Sequence, residues 1–203
     1  MTIHPTAIID PKAELADDVE VQPYTIIGPT VTIGSGTVVG PHCVITGRTV
    51  IGKNNRIFSG CQIGVLSQDL KHKEGLVGRT SIGDNNMLRE HVTISASTMT
   101  SYDDDHRTTS IGDSCLMMAY SHVAHDCHVG DFVVMANCAS LSGHVDVEDR
   151  ATLGGLSGVH QECVVGTMAF VGGMTRVVKD VAPYMIVEGN PGQCHGPNSV
   201  GLR

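Results

Sequence analysis

Aliphatic residues recur at every sixth position along most of this 203-residue chain. The count starts at Ile3, breaks after Ile63, resumes from Ile82 to Ile94, and then runs from residue 111 to residue 177. A small residue usually stands two places before the aliphatic one, and glycine often follows the aliphatic one directly. A period of six fits neither an α-helix nor a plain strand, but it does fit a short strand and a turn, repeated.

Three strand-and-turn units close one triangular coil of 18 residues, with the aliphatic side chains inward, the small residues in the corners and glycine permitting the turns. The pattern resembles the left-handed parallel β-helix of the hexapeptide acyltransferases. We therefore predict an all-β domain over residues 1–182, with residues 64–81 and 95–110 ejected as two loops. Residues 183–203 leave the repeat and are predicted to form a short non-repeat tail.

Charge and hydropathy exclude several partners and locations. The formal net charge of −8 argues against nonspecific binding of nucleic acid. The N-terminus has neither the basic nor the apolar region of a signal peptide. The uncharged residues 21–47 contain Pro23, Pro29 and Pro41, which make a poor membrane-spanning helix. We expect a cytoplasmic protein with no nucleic-acid partner and no stable membrane insertion.

The seven cysteines show no paired spacing, which favours reduced thiols over a disulfide framework. Five of them occupy the small position two places before the inward aliphatic residue: Cys43, Cys61, Cys115, Cys127 and Cys163. We predict that these five fill the corners of the coil and do not act as nucleophiles.

The chain has eleven histidines, and none of them falls on an inward or a corner position. Because residues 18 apart stack about 4.8 Å from one another, the repeat predicts which side chains are neighbours. Three columns bring histidines together: His125 with Gly143 and Gln161, Asp126 with His144 and Glu162, and Ala124 with Ser142 and His160. This arithmetic places His125, His144 and His160 on one outer patch.

Two chemistries fit such a patch. Several histidines around one point could bind zinc, as in the β-helical carbonic anhydrases. Alternatively, the imidazole of His125, which titrates at about pH 6.5 when unperturbed, could take a proton from a hydroxyl group. Asp126 could orient that imidazole, and the backbone N–H of Gly143 could stabilise an oxyanion, because glycine lets a substrate approach the main chain. The spacing alone does not separate these two interpretations.

Four stretches carry a more specific signal than the generic repeat. They are residues 63–71 (IGVLSQDLK), residues 122–127 (HVAHDC), residues 141–145 with 158–161 (LSGHV and GVHQ), and residues 188–191 with 196–198 and 201–202 (EGNP, GPN and GL). Together they resemble the UDP-N-acetylglucosamine O-acyltransferases, a family that catalyses the first step of lipid A biosynthesis. The resemblance covers nearly all 203 residues.

The resemblance implies an acyltransferase that moves an (R)-3-hydroxyacyl group from acyl carrier protein to the 3-hydroxyl of UDP-N-acetylglucosamine. It also implies a homotrimer with its site between subunits and no metal or other cofactor. In this family pattern His125 is the general base, Asp126 supports it and Gly143 donates to the oxyanion. The residues implied in binding the nucleotide sugar, the acyl donor or the product are Gln68, Asp69, Lys71, His122, His144, His160, Gln161, Gly173 and Asn198.

The sequence also departs from the family pattern. Family members continue past the β-helix into a helical domain that helps hold the nucleotide and the carrier protein, whereas this sequence ends at Arg203. Val200 stands where the family usually has an acidic residue. Three alternatives therefore stay open: a related acyltransferase with an amino-sugar or other acceptor, a zinc-dependent enzyme of the carbonic anhydrase type, and a non-catalytic scaffold.

Overall fold

Three parallel sheets form the faces of a triangular prism in the computed structural model, which describes residues 2–201. The chain is a left-handed parallel β-helix, and the predicted fold class is confirmed. Leu202 and Arg203, which end the last family-like stretch and the tail, lie outside the described residues. Within the described residues no helix is long and apolar enough to cross a membrane.

The strands, numbered in chain order, are mostly two residues long, and each pairs with the strands one coil before and after it. Sheet A contains β1 (Thr2–Ile3), β4 (Glu20–Val21), β7 (Val38–Val39), β10 (Arg56–Ile57), β13 (Met87–Leu88), β16 (Leu116–Met117), β19 (Val134–Met135), β22 (Thr152–Leu153), β25 (Phe170–Val171), β27 (Met185–Gly189) and β28 (Gly192–Pro197). Sheet B contains β2 (Ile8–Ile9), β5 (Ile26–Ile27), β8 (Val44–Ile45), β11 (Gln62–Val65), β14 (Thr93–Ser95), β17 (His122–Val123), β20 (Ser140–Leu141), β23 (Gly158–Val159) and β26 (Arg176–Val177). Sheet C contains β3 (Glu14–Leu15), β6 (Val31–Ile33), β9 (Arg48–Ile51), β12 (Arg79–Ile82), β15 (Thr109–Ile111), β18 (His128–Val129), β21 (Asp146–Val147) and β24 (Val164–Val165).

The core is the column of inward aliphatic side chains that the six-residue period predicts. Ile45, Leu88, Met117 and Leu141 are almost completely buried, and each such side chain contributes about 1.5–3 kcal/mol of hydrophobic free energy. All five corner cysteines are buried, as predicted. The period therefore fixes the register of every coil, because a shift would turn the aliphatic residues outward.

The turns differ from the sequence-based expectation in where they need glycine. The left-handed φ falls three places after the inward residue and is mostly adopted by other residues, including Asp126 (58°) and His144 (60°). Glycine directly after the inward residue instead allows adjacent coils to approach, since a Cβ on Gly34 would lie 2.7 Å from the carbonyl oxygen of Gly52. Three prolines stand just before a left-handed residue, as in type II turns: Pro23 before Tyr24, Pro41 before His42 and Pro183 before Tyr184.

Both interruptions of the repeat leave the prism at the same edge, between sheets B and C. Residues 66–78 connect β11 to β12, and residues 96–108, which include the 3-10 helix Tyr102–His106, connect β14 to β15. The second segment is only partly ejected, because residues 96–99 are buried against the prism. Since later B–C turns carry His125, His144 and Gln161, the two loops and these turns share one edge.

The sequence-based count by six ends the predicted β-helix at residue 182, but in the structure the prism continues beyond that residue. Val181 pairs with Val165 and Val187 pairs with Val171, each at a spacing two residues shorter than a full coil. β27 and β28 then form an antiparallel hairpin at the end of sheet A. The shortened spacing hides this last partial coil from a count by six.

Candidate active site

His125 and Asp126 form a hydrogen-bonded pair in the B–C turn between β17 and β18. Nδ1 of His125 lies 2.9 Å from Oδ2 of Asp126, and the same oxygen accepts a 3.1 Å hydrogen bond from the Thr98 N–H. The Asp126 side chain is only 7% exposed, and its own backbone N–H donates to Oγ1 of Thr109. The turn thus presents the imidazole outward and keeps the carboxylate beneath the second loop.

The electrostatics fix the protonation of this pair. Burial alone would raise the pKa of Asp126, but the hydrogen bonds from His125 and Thr98 and the charges of His144 and His125 outweigh it, so the pKa is lowered. An ionised carboxylate has no proton to donate, so His125 donates from Nδ1 and leaves Nε2 as an acceptor. Burial and the neighbouring His125 also lower the pKa of His122, which favours its neutral form.

Gly143, one coil above His125 in the same column, has a backbone N–H with no hydrogen-bond acceptor among residues 2–201. This turn position, two places after the inward residue, is occupied in five earlier turns by proline, which has no N–H donor: Pro5, Pro11, Pro23, Pro29 and Pro41. A Cβ on Gly143 would lie 2.5 Å from Nε2 of His125, so the imidazole rests directly against the glycine. His125 and Gly143 are therefore in direct contact, as the column arithmetic predicts.

His144 completes the cluster from the next coil. Its ring meets the edge of the His125 ring at 86°, with centroids 5.1 Å apart, and its Nε2 lies 3.8 Å from Oδ2 of Asp126. Donor atoms of His125, Asp126 and His144 lie within 4.8 Å of one another, and two imidazoles with one carboxylate are a set that could hold zinc. The geometry alone is therefore compatible with both zinc binding and acid–base catalysis by this cluster.

A cavity of about 510 Å³ opens between this cluster and the first loop. Seven of the predicted site residues line this cavity, together with Leu70, Ser95, Ala124 and Glu162. The seven are Gln68, Asp69, Lys71, His122, His125, His144 and Gln161. A larger cavity of about 790 Å³ is the open N-terminal end of the prism, around Ile3, Ile9 and Leu15, and no histidine lines it. The polar cavity at the B–C edge is therefore the candidate active site.

Three predicted site residues lie elsewhere in the described chain. His160 lines a separate groove of about 390 Å³ on the outer face of sheet B, which also reaches His122. Gly173 is exposed in a turn between sheets A and B. The Asn198 side chain donates to the Met168 carbonyl and accepts from the Gly201 N–H, so it is engaged in the tail. The predicted histidine patch thus divides, with His125 and His144 in the cavity and His160 in the groove.

His72, which no sequence pattern singles out, joins the two loops. Its Nδ1 accepts a 3.1 Å hydrogen bond from the Met99 N–H, and its Nε2 lies 3.2 Å from the Leu76 carbonyl oxygen. The Lys73 N–H donates to the Met99 carbonyl beside it. No periodicity governs loop residues, so their mutual contacts carry no signal in the sequence. These bonds hold residues 68–71 over the cavity.

Substitution of His72 by alanine is expected to raise the KM for the ligand that occupies this cavity five- to thirtyfold, with little change in kcat. The change removes two loop hydrogen bonds, each contributing about 1 kcal/mol. Steady-state kinetics at several concentrations of that ligand measure the effect. His106→Ala is the matched control, because His106 lies in the second loop and, within residues 2–201, its hydrogen bond is to the Asp103 carbonyl of its own helix. Equal effects of the two substitutions would contradict the loop assignment.

Comparisons with known proteins support a specific family. The family model described as bacterial transferase hexapeptide (six repeats) matches residues 12–47. The acyl-carrier-protein–UDP-N-acetylglucosamine O-acyltransferase of Thiobacillus denitrificans is 48% identical over 202 residues, covering 100% of this chain and 76% of the relative. The same-named protein of Pseudomonas putida also shows 48% identity, with equal coverage.

Two solved structures are similarly close. The UDP-N-acetylglucosamine O-acyltransferase from Moraxella catarrhalis superposes with a TM-score of 0.94 at 43% identity, covering 100% of this chain and 77% of that one. The UDP-N-acetylglucosamine acyltransferase of Francisella novicida gives a TM-score of 0.94 at 38% identity, covering 99% and 72%. The similarity therefore extends over the whole β-helix, including both loops and the hairpin.

Proposed function

The chain belongs to the UDP-N-acetylglucosamine O-acyltransferases, and we propose that it performs their reaction with His125 as the general base. It is an acyltransferase that uses acyl carrier protein as donor and UDP-N-acetylglucosamine as acceptor, in lipid A biosynthesis. This family membership favours proton transfer by His125 over the zinc chemistry that the same side chains could support. The observation that carries the proposal is the His125–Asp126 pair, whose imidazole packs against Gly143, a residue with a backbone N–H that has no acceptor among residues 2–201.

Each step of the proposed acyl transfer uses a group that lies at the cavity. Nε2 of His125 takes the proton of the sugar 3-hydroxyl while that oxygen attacks the thioester carbonyl carbon of the (R)-3-hydroxyacyl donor. The N–H of Gly143 donates to the oxyanion of the tetrahedral intermediate. When the C–S bond breaks, the protonated Nε2 returns its proton to the departing phosphopantetheine thiolate. Ionised Asp126 stabilises the imidazolium between the two proton transfers.

The residues that line the cavity suit an uncharged sugar beside a charged diphosphate. Asp69 can accept hydrogen bonds from sugar hydroxyls, Gln68 can both accept and donate them, and Lys71 can pair with a phosphate. His122, neutral and half-buried, adds a hydrogen-bonding group and already contacts Oγ1 of Thr93 at 2.7 Å. Asn198 does not line this cavity, and its side chain is engaged in the tail by hydrogen bonds with Met168 and Gly201.

The acceptor is tested by comparing UDP-N-acetylglucosamine with its 3-amino analogue. Both are supplied with the same acyl carrier protein thioester, and each product is identified by mass spectrometry. We expect a higher kcat/KM for the hydroxyl acceptor. Preference for the amine would favour the related acyltransferase with an amino-sugar acceptor and would overturn the 3-hydroxyl assignment.

We infer a homotrimer from the uneven polarity of the outer faces. On sheet A the outward residues are largely apolar, whereas on sheet C they include Glu14, Ser81, Ser110, His128 and Asp146. The apolar outward side chains of sheet A are Val38, Met87, Leu116, Val134, Phe170 and Ile186. An apolar face of this extent is typical of a surface covered by a second copy, and closed symmetric assemblies are the common solution.

Light scattering is expected to give about three times the chain mass of 21.4 kDa at micromolar concentration. Leu116→Glu, which buries a charge in the proposed interface, is expected to reduce the mass to that of one chain. Val50→Glu makes the same kind of change on the outer face of sheet C and should leave the mass unchanged. A wild-type chain that scatters as a monomer would exclude the trimer.

Gly173 is proposed to lie beside the acyl tail of the donor. It stands at the opposite edge of sheet B from His125, so a chain bound at His125 reaches it across the outer face of that sheet. The groove containing His160 lies on this face, and its floor includes Gly158, where an added Cβ would meet no heavy atom within 4 Å. The absence of side chains at Gly158 and Gly173 leaves this path open.

Gly173→Met is expected to shift donor preference toward shorter acyl chains. Each methylene left unburied costs about 0.8 kcal/mol, so blocking two of them changes the ratio of kcat/KM values roughly tenfold. Stability should change little, because position 173 is exposed and its φ is not left-handed. Assays with donors of two chain lengths measure the ratio, and an unchanged ratio would refute the groove.

A further inference from the structure

The Asp126 carboxylate is held at one oxygen only. Oδ2 receives the hydrogen bonds from His125 and from the Thr98 N–H, whereas Oδ1 is buried and has no hydrogen-bond partner among residues 2–201. Apart from His125 itself, the Thr98 N–H is therefore the group that holds the orientation of the carboxylate. Because His125 takes its orientation from Oδ2, the position of Thr98 bears directly on where Nε2 points.

The side chain of Thr98 makes a second connection, toward the substrate loop. Its Oγ1 lies 2.6 Å from Oγ of Ser67, and the same Ser67 oxygen accepts a hydrogen bond from the Asp69 N–H. Thr98 is 2% exposed and Ser67 is 7% exposed, so this pair is shielded from water. Removing one partner of a buried pair leaves the other unsatisfied, which makes the link costly to break.

We propose that Thr98 is a positioning residue that couples the substrate loop to the catalytic pair. One short chain of hydrogen bonds runs from Asp69 through Ser67 and Thr98 to Asp126. When a sugar contacts the loop at Asp69, the loop is held in place, and this chain fixes the Asp126 carboxylate and the imidazole that depends on it. Binding of the acceptor then completes the alignment of the base. This inference rests on the proposed role of His125.

The test replaces the Thr98 hydroxyl while keeping its shape. Thr98→Val is expected to lower kcat about tenfold, with the KM for the acyl donor unchanged, because the groups that hold the donor are not altered. Thr98→Ser retains the hydroxyl and is expected to restore kcat to within threefold of wild type. Thr80→Val is the matched control: Thr80 is 2% exposed, and its Oγ1 has no hydrogen-bond partner within residues 2–201, so this substitution breaks no such link.

A second readout does not depend on turnover. The proton on Nδ1 of His125, hydrogen-bonded to a carboxylate, should give a downfield proton resonance in the wild type, and UDP-N-acetylglucosamine should sharpen it. Thr98→Val should broaden or remove this resonance, and Thr80→Val should not. If the wild type transferred no acyl group but the three proteins still showed these differences in the resonance, the proposed function would be wrong. The coupling of the loop to Asp126 through Thr98 would still be supported.

Two results would overturn the coupling. One is a Thr98→Val protein with the kcat and the resonance of Thr80→Val; the other is a Thr98→Ser protein as impaired as Thr98→Val. Should Thr98→Val fail to fold, Ser67→Ala breaks the same chain from the loop side with a smaller change. It is expected to lower kcat three- to fivefold, and a native kcat in that variant would equally exclude the proposal.

Discussion

His125→Ala is expected to lower kcat for acyl transfer by about 10² to 10⁴, the usual contribution of a general base. The remaining rate comes from binding and from the Gly143 N–H, which the substitution leaves in place. The side chain projects from a turn onto the outer surface and contributes nothing to the inward column, so thermal unfolding should occur close to the wild-type temperature. Single-turnover assays with both substrates saturating measure kcat without interference from altered binding.

His128→Ala is the matched control for this experiment. His128 lies three residues further along, on the outer face of sheet C, where its Nδ1 contacts Oγ of Ser110. It does not line the cavity that contains His125. A native rate in His125→Ala, or equal losses in the two variants, would remove His125 from the mechanism.

Gly143→Ala is expected to reduce kcat by about 10² to 10³, comparable to the loss of one oxyanion donor. The added methyl group would collide with Nε2 and Cε1 of His125, so the base must rotate away from the acceptor hydroxyl. The same methyl group blocks the approach of a substrate oxygen to the backbone N–H. Because the φ of Gly143 is not left-handed, alanine fits the backbone, and stability should be retained or slightly increased.

The control for this change is Gly28→Ala, in a B–C turn near the N-terminal end of the prism and outside both the cavity and the groove. A Cβ there would meet no heavy atom closer than 3.5 Å, so the added methyl group makes only ordinary contacts. Kinetic measurements on both variants, with thermal unfolding as the check on the fold, separate a local collision at His125 from a general cost of alanine. A Gly143→Ala protein with a native kcat would show that neither the collision nor the oxyanion contact matters.

The repeat makes the placement of His125 over Gly143 predictable. Eighteen residues make one coil, so the inward aliphatic residues fix the register and thereby the neighbours of each turn residue. His160, directly after the inward Val159, lines the groove on the outer face of sheet B, which adjoins the cavity through His122 and Ala124. Column membership predicts stacking, but the direction of a side chain also depends on its distance from the turn.

The features that the sequence does not reveal all lie where the period fails. The contact of His72 with Met99 and that of Ser67 with Thr98 join two loops that share no repeat, and only the folded chain brings them together. The last coil escapes the count because a two-residue shortening moves Val181 and Val187 out of phase. Conversely, the acidic and basic residues of the cavity are predicted through motif resemblance, since surface positions leave no trace in the hydrophobic pattern.

The most direct test of His125 as the base that activates the 3-hydroxyl is a structure of this protein with UDP-N-acetylglucosamine bound. We expect the sugar in the cavity between His125 and residues 68–71, with its 3-hydroxyl oxygen within about 3.2 Å of Nε2 of His125. Lys71 should contact a phosphate oxygen, and the Gly143 N–H should remain free for the oxyanion. A nucleotide sugar bound outside this cavity, or one that presents a different hydroxyl to His125, would contradict the account.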